Sequence, residues 1–337
     1  MRLSGPASLV SATPYLVGFV PERSLVLVAL DQTAPRARVV GSARVDLEPD
    51  PVPSLRAFAR QAAERGSGGV MLLVYDDLSS GHALPHRELV DRVESLLADQ
   101  GLRLLDALQV REEESVWRWW SYLCTDESCC PAAGLTVARS SAIDAEAVGR
   151  GLVALASRRE LIAELLPNPA VANAVAAEIE LWQAARADTP QWRSTEVASL
   201  DQTISDVAGD VSPHLMARHL VALADVGVRD LVLVQSDRAE IMAAQQYWRR
   251  LVRSAPPGWR APAATLLAVS CLQSGDGARA NVALDAALVG EPEYNLARLV
   301  AVAMSSGAIT PDDLVDALTE AHAEERRRLT RLGSVRT

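Results

Sequence analysis

The sequence contains no lysine: all 33 of its basic residues are arginine. That absence excludes a P-loop, whose lysine reaches the nucleotide phosphates, and the lysine-dependent site of a protein kinase. It equally excludes Schiff-base chemistry, including a covalently held pyridoxal cofactor. Histidine is scarce, with five residues, and no H-E-x-x-H, G-x-S-x-G or Ser/His/Asp arrangement occurs. Four cysteines in 337 residues are too few for a disulfide scaffold, which predicts a reducing, cytoplasmic setting. No segment reaches the ~18 apolar residues of a membrane span. The start of the chain does not read as a secretory signal, because Arg2 is its one early positive charge and Glu22 and Arg23 break the apolar run from Tyr15.

The remaining composition is that of a globular protein, 49% apolar and 23% charged, and long enough for two cores. A formal charge of −10 argues against nucleic acid or an anionic membrane as a partner reached by bulk electrostatics.

Strand signals fill the first 140 residues. Ser24 to Leu30 is a continuous apolar run, the pattern of a strand covered on both faces, and Arg38 to Leu47 alternates as a half-buried strand, so the two predict a hairpin. Pro51 and Pro53 open a helix that Gly66 closes. Val70 to Tyr75 is a second buried strand, about Pro85 to Gln100 a helix with Leu89, Val93, Leu96 and Leu97 inward, and Arg103 to Val110 and Ser115 to Leu123 two further strands. The glycines at 66, 68 and 69 precede a strand rather than joining one to a helix, so they read as a turn and not as a phosphate cradle. The order β-β-α-β-α-β-β predicts an α/β domain with a mixed sheet over residues 1–140.

From Ile143 the strand signals fade. A helical connector is expected over 141–212, with Asp188 to Pro213, the most polar stretch, as a hinge or long loop. Helices follow over 213–328, with a tail at 329–337. Val228 to Val234 fits strand or helix by pattern, and its neighbours favour helix. Ala264 to Gly275 reappears as Leu296 to Gly307, offset by 32 residues. Small residues at the crossing and Pro292 near the end resemble a tetratricopeptide-type helix pair, though the large aromatic of that motif is absent. An all-α, tetratricopeptide-like region of this kind predicts a protein partner held along residues 261–307, with self-association as an open alternative.

Two places carry residues suited to chemistry. Glu113 to Gly134 gathers three of the seven tryptophans and three of the four cysteines. Cys124, Cys129 and Cys130 read in three ways: as thiolate ligands of a zinc completed by His82, His86 or Cys271, as a redox pair stiffened by Pro131, or as small apolar thiols capping a buried strand. Asp126 and Glu127 lie inside the turn, where negative charge raises thiol pKa. Adjacent cysteines also suit one tetrahedron poorly. The second place is Asp76 and Asp77, at the carboxyl end of a buried strand, with His82 in the loop beyond. Ligands gather at such strand ends, and a carboxylate pair with a histidine suits acid–base work or a divalent metal, while Asp-Asp before a helix is also ordinary capping chemistry.

Several segments together resemble the actinobacterial domain-of-unknown-function family 4192: Thr13 to Val26, Trp120-Ser-Tyr-Leu-Cys124 with Cys129-Cys130-Pro131, Val228-Arg229-Asp230, and Ala261 to Ala278. The resemblance spans nearly the whole chain and implies a GC-rich host, in keeping with the missing lysine. It supplies no activity, cofactor or catalytic residue to carry over. The expectation is therefore a cytoplasmic interaction or regulatory protein, with a small-molecule enzyme or sensor at the sheet edge as the alternative.

Overall fold

Ser24–Asp31 (β1) and Arg38–Asp46 (β2) pair antiparallel as the alternation predicts; β1 is buried along all but its last residue, and β2 is half-buried at the sheet edge. The computed structural model describes residues 5–31, 38–48, 50–77, 84–114, 116–139, 145–147, 154–187, 189–306 and 311–331. They fall into two compact units, residues 1–160 with 305–308 and residues 161–304 with 309–337. The predicted helices of the first unit are Val52–Glu64 (α2) and Arg87–Asp99 (α3), and its further strands are Gly69–Tyr75 (β3), Leu104–Glu113 (β4) and Val116–Ser121 (β5).

Two elements were not anticipated. Pro6–Val17 is a helix (α1), and Leu135–Ala138 is a sixth strand (β6) that follows the cysteine turn. The six strands run in the order β2-β1-β3-β4-β5-β6, with β3 and β4 parallel and every other pair antiparallel. On one face Leu25, Leu27, Leu72, Val74 and Ala107 pack with Leu55, Ala59, Val90, Val93 and Leu97 of α2 and α3. On the other, Val26, Val28, Leu73, Leu108, Trp117 and Trp119 pack with Leu9, Val10 and Val17 of α1. Each large apolar side chain removed from water in these layers stabilises the fold by about 1.5–3 kcal/mol. On α3 the most deeply buried positions are Val90, Val93, Leu96 and Leu97, while Leu89 packs at the margin of that cluster.

The second unit is helical throughout its described residues. Arg158–Ala163 (α4) leads into it, followed by Pro169–Ala185 (α5), Pro190–Ser205 (α6), Pro213–Leu223 (α7), Val226–Leu231 (α8), Arg238–Ser254 (α9), Ala261–Gln273 (α10), Gly277–Gly290 (α11), Asn295–Ser306 (α12) and Pro311–Arg331 (α13). Helix starts are set by side-chain caps: Asn168, Thr189, Ser212, Asp225, Asp237 and Asp276 each accept a bond from a first-turn amide. Proline then takes the first helical position at 169, 190 and 213, where its missing N–H has no partner to lose.

The polar stretch expected to form a hinge or long loop is mostly the helix α6. Thr189 caps it, and Glu196, Val197, Leu200 and Ile204 form a buried stripe one helix face wide. Its charged residues are consumed inside the unit: Arg218 holds the buried Glu196 carboxylate with two bonds, at 2.7 and 3.0 Å. Val228 to Leu231 is helical within α8, and the chain leaves the helix at Val232. The two copies of the internal repeat lie on α10 and α12, but they are packed differently. Every residue of α10 from Ala261 to Leu272 is buried, whereas α12 exposes Leu299 and Val302. Among the described residues no helix is long and apolar enough to cross a membrane.

Candidate functional site

The cysteine turn grows out of the last residues of β5. Tyr122 N–H still bonds Ala107 O at 2.8 Å, and the chain then turns as Ser121 Oγ accepts from the amides of Leu123 and Cys124 at 3.1 and 3.0 Å. Asp126 organises the next bend. Its carbonyl accepts from the amides of Cys129 and Cys130, at 3.1 and 2.7 Å, and its carboxylate accepts from Ser128 N–H and Oγ–H, at 2.9 and 2.7 Å. Beyond the cysteines the loop is tied to the β5 face opposite the buried Trp117 and Trp119. Arg118 Nη1 donates to Ala133 O at 3.0 Å and Trp120 Nε1 to Ala132 O at 3.1 Å.

Gly134 ends the turn in the left-handed region, with φ 77°, and its α-carbon lies against the Trp120 ring; a β-carbon there would stand 2.5 Å from that ring. The tryptophans thus divide their work. Trp117 and Trp119 fill the α1-side core, and Trp120, with the Arg111 guanidinium 5.3 Å from its ring centroid, is the surface on which the cysteine loop is seated.

This framework brings the three sulfurs of Cys124, Cys129 and Cys130 within 4.8 Å of one another, with Cys129 exposed and the other two half-buried. The adjacent cysteines therefore do share one region of space with Cys124, the two bonds to the Asp126 carbonyl curling the chain that carries them. The cysteines are free thiols. The Cys124 thiol is lowered from its ordinary value, first by a hydrogen bond from the Cys130 thiol and then by the Asp126 amide. The Asp126 charge raises the thiol, the direction expected from sequence, but it is the smallest contribution and is outweighed. Cys130 is pushed up to about 12, by burial first and then by its bonds with Cys124 and Cys129. Cys124 is thus a readier anion than Cys130, which keeps its proton to donate to it.

Among the described residues no histidine nitrogen or carboxylate oxygen joins the three sulfurs as a fourth ligand. Of the fourth ligands considered from sequence, Cys271 is fully buried within α10, where burial pushes its thiol up to about 12. His86 is engaged by Asp76, and His82 lies outside the described residues.

Of Asp76, Asp77 and His82, the two aspartates are described and His82 lies outside the described residues. The Asp76 side chain continues the inward row Val70, Leu72, Val74 and is buried, Asp77 is exposed, and residues 78–83 lie outside the described chain. Asp76 meets His86, with Oδ2 2.7 Å from Nε2. His86 caps the start of α3 in the left-handed region, at φ 62°, a conformation that is strained for a residue with a β-carbon. Behind the pair Gln109 Nε2 donates to Asp76 O at 2.8 Å. Tyr122 Oη lies 2.7 Å from Gln109 Oε1 and 2.5 Å from Pro85 O, two acceptors for one phenolic proton. Burial and the Asp76 charge both raise the Tyr122 hydroxyl above its ordinary pKa. Arg87 Nη1 donates to Tyr122 O, so the same residue pair that starts α3 also holds the chain two residues before Cys124.

Gln109 and Tyr122 were not singled out by motif reasoning. The available signal was Gln109 itself, an amide inside the otherwise apolar run Ala107 to Val110, since a polar side chain in a buried strand must find partners.

A family described as a domain of unknown function, DUF4192, matches residues 6–311. No curated protein and no solved structure matches the chain.

Proposed function

Because the chain belongs to DUF4192, a domain of unknown function, we propose its role from the site itself: the sheet-bearing unit is a thiolate metal site of the zinc type, serving a sensor or regulatory protein of the cytoplasm. The observation that carries this is the convergence of three free thiols on one point of a loop braced by Arg118, Trp120 and Gly134. In a tetrahedral zinc site the metal–sulfur distance of about 2.3 Å sets the sulfurs roughly 3.8 Å apart, so the cluster closes by about 1 Å on a metal. Three thiolates leave the fourth position for water, for a residue of the chain or for an incoming ligand, which is the arrangement of a responsive site rather than a closed structural one. The Cys124 thiol is lowered and the Cys130 thiol raised, and thiolates are what a metal binds, so metal uptake releases protons and tightens as pH rises.

Titration of the reduced protein with cobalt(II) tests this. The expected result is uptake of about one equivalent, with a sulfur-to-cobalt charge-transfer band that zinc displaces and that Cys124→Ser, Cys129→Ser and Cys130→Ser each weaken or abolish. Fully reduced protein that takes up neither cobalt nor zinc, or a triple serine variant that binds as well as the parent, rejects the assignment.

A second reading, that the helical region over 213–328 contacts a protein partner as a tetratricopeptide-like array, is favoured by one observation. Leu299 and Val302, three residues apart on α12, and Val289 on α11 are 68%, 62% and 84% exposed. Large exposed apolar side chains one helical turn apart, as Leu299 and Val302 are, mark contact surfaces more often than scattered ones do. A second copy of the chain is the partner that purified protein can test. Sedimentation should show self-association that Leu299→Glu with Val302→Glu reduces; a parent protein that stays monomeric at every concentration removes the self-association form of this reading.

A further inference from the structure

The last turns of α9 carry three arginines, Arg249, Arg250 and Arg253, and all three line one open cleft of 420 Å3 within the helical unit. Arg249 and Arg253 are four residues apart, where like charges oppose each other on a helix. Their neighbours neutralise them only in part. Arg249 Nε is 3.9 Å from Glu164, Arg250 spends one nitrogen on Gly209 O at 2.8 Å, and Arg253 makes no ion pair among the described residues. Among the described residues the only carboxylate in the cleft wall is Asp210, so that lining is net positive although the chain is net negative.

Other features converge on the same space. The N-terminus of α5 opens there through Asn168 and Val171, and it is fixed in place because Asn168 N–H bonds Arg253 O at 2.8 Å. The Asn168 and Val171 amides are spent on Arg253 O and the Asn168 cap, so what this helix end adds to the cleft is partial positive charge. Ser254, only 4% exposed, lines the cleft with a hydroxyl that makes no hydrogen bond among the described residues. Buried polar groups are normally satisfied, and one left open on a cleft wall is a donor held for something that enters.

We propose that this cleft binds a small phosphate ester carrying hydroxyl groups, of the sugar-phosphate or nucleotide class. Arginine's planar fork grips phosphate oxygens in pairs, and Ser254 supplies a further donor. Asp210 can accept from hydroxyl groups of such a ligand, and Gln246 offers both donor and acceptor. The volume lies in the range of about 300–1,000 Å3 typical of small-molecule sites, and concavity of this kind favours a small molecule over a protein surface. This site is independent of the thiol cluster, and either can fail without the other.

Isothermal titration of the intact protein with ribose 5-phosphate, inorganic phosphate, ribose and citrate tests the proposal at fixed ionic strength. Saturable binding of ribose 5-phosphate, tighter than phosphate alone, is expected. Arg253→Gln, at an exposed position whose loss leaves the helix intact by circular dichroism, should weaken it by about tenfold or more, the effect of one lost charge-assisted bond. Citrate binding as tightly as ribose 5-phosphate would reassign the cleft to carboxylates. Absence of saturable binding by any phosphate probe, or binding unchanged in an Arg249→Gln, Arg253→Gln double variant, overturns it.

Discussion

Asp225→Ala should destabilise the helical unit by about 3–5 kcal/mol, the range for removing one partner of a buried ion pair. The Asp225 side chain is 3% exposed and every face of it is used. Arg193 holds it with two bonds, Nε to Oδ1 at 2.9 Å and Nη2 to Oδ2 at 3.1 Å, and Arg186 Nη2 adds a third at 3.3 Å. Oδ1 also accepts from Val228 N–H at 3.1 Å, which caps α8. Burial alone would raise this carboxyl, but the Arg193 bond, the Val228 amide and the charges of Arg193 and Arg186 outweigh it and leave the group below its ordinary pKa. Alanine removes the cap and leaves two guanidinium groups facing an apolar gap. Both arginines retain contact with solvent, at 29% and 38% exposure, so the lower end of the range is the expected result. Asp225→Asn keeps the cap while losing the charge and should fall between the variant and the parent. Urea denaturation followed by tryptophan fluorescence measures both, and a loss below about 1 kcal/mol for the alanine variant would show that the network is idle.

That network shows why parts of the chain were legible and others were not. The strands β1 and β3 and the alternation of β2 read directly, because the period of a strand and the burial of its faces are local facts. The helix α1 hid because Pro14 sits inside it and its residues are apolar nearly all round, so neither a clean stripe nor an uninterrupted helical composition marks it. The polar stretch that becomes α6 misled for the opposite reason: Arg193 and Glu196 look solvated until their partners Asp225 and Arg218, far along the chain, are brought in. In the candidate site the cysteines announced themselves, yet their shared point depends on the Asp126 carbonyl and on the Trp120–Gly134 contact, which no spacing rule contains. Asp76 was selected at its strand end with His82, which lies outside the described residues, while the histidine that meets it among the described residues is His86. That contact is set by the left-handed turn at His86, a conformation that sequence does not advertise in a residue other than glycine or asparagine.

The helical unit should lose stability as pH falls below about 6.5, and His219 should be the main cause. Its ring is fully buried between Ser199, whose Oγ lies 2.9 Å from Nε2, and Tyr247, whose hydroxyl bonds Nδ1 and whose ring meets it edge-on with centroids 5.7 Å apart. A neutral imidazole serves both neighbours by accepting from one and donating to the other. Burial, and then the charge of neighbouring Arg218, depress its pKa to about 3. The folded pKa therefore lies below the unfolded one, and between the two the unfolded chain binds a proton that the folded chain refuses. Stability is complete above the unfolded value and falls with decreasing pH at up to about 1.4 kcal/mol per unit until the folded value is reached. Asp225 cannot produce this behaviour, since a depressed carboxyl loses its contribution only below its own unfolded value near pH 4. His322, lowered by burial against its bond to Asp230 O, acts in the same direction as His219 and must be subtracted. Denaturation curves at pH 7 and pH 5 for the parent, His219→Gln and His322→Asn separate them. The parent should lose about 2 kcal/mol through His219 over that interval, and His219→Gln, whatever its stability at pH 7, should lose correspondingly less. An unchanged pH slope in that variant would mean that the buried ring gains its proton without resistance, contrary to its packing.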